Sequence, residues 1–113
     1  MTDDMIELAK RAVACKGWGW RCGMLISDGA WFSRVGSGYN WKSDAELLPD
    51  LADPATLGCL LALVREAWGD PYLCAVGDPD TGWRIDAVTA QVQDLHGYAS
   101  EAEALVFALE GAP

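Results

Sequence analysis

The sequence predicts an α+β fold in the order helix, hairpin, helix, hairpin, helix, with one antiparallel sheet of roughly four strands packed by three helices. Three observations lead there. Apolar residues recur at helical spacing in three segments. Two strand-like pairs flank turn sequences, Asp28-Gly29 and Gly77 to Gly82. The chain has 113 residues, 51% hydrophobic and 22% charged, which suits one packed core and a single domain over 1–113.

The first helix is expected to start at Thr2 as its cap, with Asp3 and Asp4 at the positive end of the dipole and Gly17 after the last turn. Met5, Leu8, Ala9, Ala12 and Val13 form its buried stripe. A link rich in glycine and tryptophan follows, from Gly17 to Gly23. Met24 to Ser27 and Ala30 to Val35 then read as strands joined by Asp28-Gly29, a type I′ hairpin signal. Residues 36–52 read as a loop, acidic toward its end.

The second helix is the best marked. Asp53 is a good N-cap, Pro54 suits the first helical position, and Gly69 with Pro71 ends the run. Leu57, Leu60, Leu61, Val64 and Trp68 form its expected apolar face. Tyr72 to Val76 and Trp83 to Val88 read as the second hairpin, with Trp83, Ile85 and Ala87 on one side and Thr89 to Leu95 as an extension. Ser100 and Glu103 make a capping box for the last helix. Its stripe is Ala102, Leu105, Val106 and Leu109, and Gly111 ends it.

Formal charge is −9. It is unevenly spread: residues 1–42 carry six basic and four acidic groups, residues 43–113 two basic and thirteen acidic. An acidic surface repels phosphate, so direct nucleic-acid binding is not expected, whereas a basic protein surface would be attracted. The bland alternative is that the charge only keeps the chain soluble. The apolar runs are too short to span a membrane, and the acidic start resembles neither a signal nor a transit peptide. The cytoplasm is the expected location.

Cys15, Cys22, Cys59 and Cys74 form no C-x-x-C pair and read as small buried hydrophobes. With His96 as the one histidine, no metal site and no cofactor is expected. No G-x-S-x-G elbow, Walker loop or G-x-G-x-x-G occurs, so catalysis is not expected. Asp78 and Asp80 flank Pro79 as turn acids, without the later glutamate of a calcium loop.

Six tryptophans are the unusual feature. Trp31, Trp68 and Trp83 fit core positions. Trp18, Trp20 and Trp41 fall in glycine-rich loops, where each is either a hydrophobic plug or an exposed anchor. Trp and Arg are favoured interface anchors, so Trp18, Trp20, Arg21, Tyr39 and Trp41 form the candidate contact surface. Asp44, Glu46, Asp50, Asp78 and Asp80 are its acidic counterpart.

The segments Arg11 to Trp20 (RAVACKGWGW), Leu48 to Gly69 (LPDLADPATLGCLLALVREAWG) and Ser100 to Leu109 resemble small uncharacterised proteins of tailed phages and prophages. More distantly they resemble the phage αβα-sandwich domain. Together they cover about half of the chain. The family pattern has a proline-containing link after the tryptophans, where this chain reads Arg21-Cys22-Gly23. The resemblance implies a phage accessory protein without an established active site. The expectation is binding to a host or phage protein, in its sharpest form inhibition of a bacterial defence complex such as a CRISPR effector. The acidic half would then face a basic nucleic-acid channel. Alternatives are a small virion or assembly component, for which a homo-oligomer is allowed, and a sugar-binding or hydrolytic domain around Trp41 and Trp83.

Overall fold

A computed structural model describes residues 3–27, 32–36, 47–87 and 97–113. Among these lie α1 (Asp3–Val13), β1 (Leu25–Ser27), β2 (Phe32–Arg34), β3 (Leu48–Pro49), α2 (Pro54–Trp68), β4 (Cys74–Asp78), β5 (Gly82–Asp86) and α3 (Glu101–Glu110). The class is α+β, and one hydrophobic core runs from Leu8 to Leu109.

The last helix lies at the centre. In α3, Ala102, Ala104, Leu105, Val106, Ala108 and Leu109 are all buried, because α1, α2, β4 and β5 pack around it. Its three alanines let neighbours approach closely. Ser100 caps it, its hydroxyl accepting from the Glu103 N–H at 3.1 Å. Helix α1 contributes Leu8, Ala9 and Ala12 to the core, with Met5 packed beside them. Gly17 then carries the chain past the ends of α2 and α3. A Cβ there would lie 3.0 Å from Leu109 Cδ1 and 3.3 Å from Ala67 Cβ.

The expected signals set both ends of α2. The Asp53 carboxylate accepts from the Thr56 N–H at 3.0 Å, Pro54 opens the helix, and Gly69 closes it at φ 65°. The buried face is turned from the expected one. Thr56, Leu60, Leu63 and Val64 are buried, while Leu57 and Leu61 are half-buried. Thr56 can be buried because its hydroxyl donates to Asp53 at 2.9 Å and accepts from the Leu25 N–H at 2.8 Å. The Trp68 indole N–H donates to Ala108 O at 2.8 Å and joins α2 to α3.

The described residues hold two separate antiparallel sheets, not one sheet of about four strands: β2-β1-β3 and β4-β5. Among the described residues neither β1 nor β5 has a free edge to offer the other. β1 has β2 on one side and β3, from the segment read as loop, on the other. At β5, Trp83 forms a bridge with Tyr98 through N–H···O contacts of 2.8 and 3.1 Å. The Asp28-Gly29 turn lies outside the described residues. Trp31, Thr89 to Leu95 and His96 also lie outside, as does the Thr2 cap.

In the second hairpin Asp78 pairs with Gly82, so Pro79, Asp80 and Thr81 form a three-residue loop. Gly82 ends it at φ 82°, and a Cβ there would meet Tyr98 O at 2.7 Å. Both facts require glycine. Strand β4 begins two residues later than expected. The Asp70 carboxylate accepts from the Tyr72 N–H at 3.0 Å, and Arg65 Nε donates to Leu73 O at 2.7 Å. This tight turn after α2 leaves Tyr72 outside the strand and 71% exposed.

Candidate partner-binding surface

The link from Gly17 to Gly23 holds three of the sequence-derived contact residues. Trp18 and Trp20 are half-buried and pack against the core, which is the plug arrangement. Their rings meet edge to face, with centroids 5.4 Å apart at 85°. The Trp18 indole N–H is buried without a partner. Arg21 is exposed and ion-paired with Glu66 of α2. Tyr39, Trp41, Asp44 and Glu46 lie outside the described residues.

The remaining acids sit in turns. Asp50 accepts from the Ala52 N–H at 3.0 Å. Asp78 accepts from the Asp80 N–H at 2.8 Å, and that bond holds its carboxyl below the usual range. Asp80 is exposed in the same turn. The fold thus brings Asp78 and Asp80 together at one hairpin tip and leaves Asp50 in the turn before α2.

A different acidic surface arises from packing. Helices α1 and α3 run side by side in the same direction. At their C-terminal ends the Arg11 guanidinium pairs with Glu110 through both carboxylate oxygens. It also lies 4.4 Å over the Phe107 ring, whose neighbour Tyr98 stacks at 4.8 Å. The Glu110 bond raises the Arg11 pKa, so this cation stays charged and engaged. At the N-terminal ends an open groove of about 480 Å³ separates the helices. Asp4, Glu7, Arg11 and Glu103 line it with Met5, Leu8 and Phe107, and Arg11, itself paired with Glu110, is part of its wall.

The electrostatics of that end are simple. Asp3 and Asp4 open α1, and Glu101 and Glu103 open α3. Each helix start supplies about half a positive charge. Four carboxylates against two such ends leave a net of about −3, by the same reckoning. Glu7 is partly offset by Lys10 at 3.4 Å, an exposed pair of small effect. Elsewhere Arg21, Arg34 and Arg84 are taken up by Glu66, Asp53 and Asp86.

The sequence missed this groove because it joins residues about one hundred positions apart. Acids in the first turns of two helices were the available signal, and each has an ordinary local explanation. Tyr72 was missed as an exposed aromatic because its type suits a strand. The cysteines also differ from expectation: Cys15, Cys59 and Cys74 are half-buried and Cys22 is exposed. Cys22 sits at the corner of a turn closed by Met24 N–H to Arg21 O at 3.1 Å, which turns it outward. Among the described residues no group of three or more His, Cys, Asp or Glu could hold a metal ion. No described helix is long and apolar enough to cross a membrane. No family model, no curated protein and no solved structure matches the chain.

Proposed function

We propose that the protein acts by docking a basic segment of another protein in the groove between α1 and α3, and not by catalysis. The observation that carries this reading is the meeting of Asp4, Glu7 and Glu103 with Met5, Leu8 and Phe107 in one open groove whose lining cation, Arg11, is taken up by Glu110. A lysine or arginine would lay its methylene stem on the apolar wall and place its charged head among the carboxylates. The remaining negative charge of the chain would steer a basic partner toward it.

In this reading the chain is an accessory protein of a tailed phage, working in the host cytoplasm. The partner is the basic nucleic-acid channel of a host defence complex, a CRISPR effector being the sharpest case. The charge imbalance, the small size and the segment resemblance support it. Asp44, Glu46, Asp50, Asp78 and Asp80 would add to the negative charge, while Tyr39, Trp41 and the half-buried Trp20 would add apolar contact.

The test is calorimetric titration of the protein with an arginine-rich peptide, followed by inhibition of DNA binding by a purified effector. Substituting Asp4→Asn, Glu7→Gln and Glu103→Gln together should weaken the peptide at least about tenfold, and 0.5 M salt should do the same by screening. Inhibition should fall in parallel. Unchanged affinity in the triple variant, with the fold intact, would reject the groove as the contact.

A further inference from the structure

We infer that Cys22 and Cys59 form an oxidisable pair, a modification site at which a peroxide closes an intramolecular disulfide between the tryptophan link and α2. The Cys59 Sγ lies 3.6 Å from the main-chain oxygen of Cys22, so helix and link already meet at these two residues. A disulfide needs Cα atoms within about 4.4–6.8 Å, so the bridge requires the link to turn the outward Cys22 side chain in toward α2. Gly23 supplies that freedom. It follows Cys22 at φ 100°, and nothing lies within 4 Å of where its Cβ would be. Arg21, bound to Glu66 two turns along the same helix, ties the link to α2 a second time.

The roles divide by exposure. Cys22 is exposed and meets the oxidant first, whereas Cys59 is half-buried beneath it. Desolvation raises the Cys59 pKa, with Arg21 pulling the other way, which suits a resolving thiol better than a first nucleophile. The Cys22 thiolate attacks the peroxide. An S–O bond forms, the O–O bond breaks, and an alcohol or water leaves with the proton. Cys59 sulfur then attacks the Cys22 sulfenic sulfur, the S–S bond forms, and the hydroxide leaves as water with the Cys59 proton. Two thiols are oxidised by two electrons and the peroxide is reduced by two. Cys15 is engaged differently, its thiol donating to Arg11 O at 3.2 Å within its own helix turn.

The bridge would join residues 37 apart in the chain and fix the Trp18–Trp20 plug to α2. The experiment treats the full chain with stoichiometric hydrogen peroxide and reads intact mass, non-reducing peptide maps and melting temperature. The expected result is a monomer lighter by about 2 Da, a mapped Cys22–Cys59 link, and a melting temperature higher by about 5 °C or more that dithiothreitol reverses. In Cys59→Ser treated with two equivalents of peroxide or more, Cys22 should instead advance through the sulfenic to the sulfinic acid, about 32 Da heavier, one peroxide being consumed at each step. The proposal is overturned if no Cys22–Cys59 peptide forms. It is equally overturned if Cys22 reaches the sulfinic acid at the same rate with and without Cys59. Oxidation that yields only intermolecular dimers also counts against it.

Discussion

Asp53 couples the first sheet to the second helix, and replacing it should show how much that junction is worth. Its carboxylate caps α2 through the Thr56 N–H at 3.0 Å and accepts from Arg34 at 2.9 and 3.2 Å. Arg34 also donates to Gly23 O at 2.7 Å, so one guanidinium spans the strand, the turn and the helix start. Hydrogen bonding from Arg34, and then from Thr56, lowers the Asp53 pKa from 3.8 to about 2. That drop corresponds to about 2 kcal/mol before screening, and to about 1 kcal/mol once the half-exposed Arg34 is counted. Loss of a capping oxygen adds about 1 kcal/mol. Asp53→Ala should therefore cost about 2 kcal/mol in urea denaturation at pH 7. Asp53→Asn keeps a capping oxygen and should cost about half as much. Because the folded pKa is depressed, the charge contribution is complete above pH 3.8 and disappears as the pH falls toward about 2. The stability difference between the parent and Asp53→Asn should thus be flat above about pH 5 and shrink toward zero near pH 2. Equal costs for the two variants, or a difference that does not shrink in acid, would refute the assignment of both roles to this carboxylate.

Three further substitutions test the fold. Gly58 lies within α2 with open space where a Cβ would go, so Gly58→Ala should stabilise by about 0.5–1 kcal/mol in the same assay. Gly82→Ala should do the opposite, costing about 2 kcal/mol or more in thermal denaturation, because of its positive φ and the Tyr98 carbonyl at 2.7 Å. Leu105 is fully buried in the central helix, and Leu105→Ala should cost about 2–5 kcal/mol. Little change in that last case would mean that α3 is not the centre of the core.

The sequence made some of these elements readable because their signals are local. Asp53-Pro54 and Gly69 encode the geometry of helix ends within a few residues, and so does Ser100 with Glu103. The facing of α2 was harder to read. Its surface is apolar on most sides, so spacing alone favoured Leu57 and Leu61 over Leu63, and nothing marked Thr56 as a buried hydroxyl. Strand pairing was harder still. β3 is only Leu48 and Pro49, too short to show alternation, yet it occupies the edge of β1 opposite β2. Tyr72 has strand chemistry, but the Asp70 side chain takes its N–H and turns the chain first.

The groove shows why the site was the least legible part. Asp3 and Asp4 are ordinary first-turn acids, and so are Glu101 and Glu103, each favoured by the dipole of its own helix. Neither pair signals a site alone. Packing α1 alongside α3 in the same direction brings both pairs to one end. Arg11, which lies over Phe107 in the groove wall, fastens α1 to the far end of α3 through Glu110. The helix dipoles offset part of the mutual repulsion, which is how the fold tolerates the concentration of charge. What remains is a negative field at the mouth of an apolar groove. Reversing either helix would disperse that field without changing a residue. The proposed binding property therefore rests on the relative direction of two helices, which their caps and stripes do not encode.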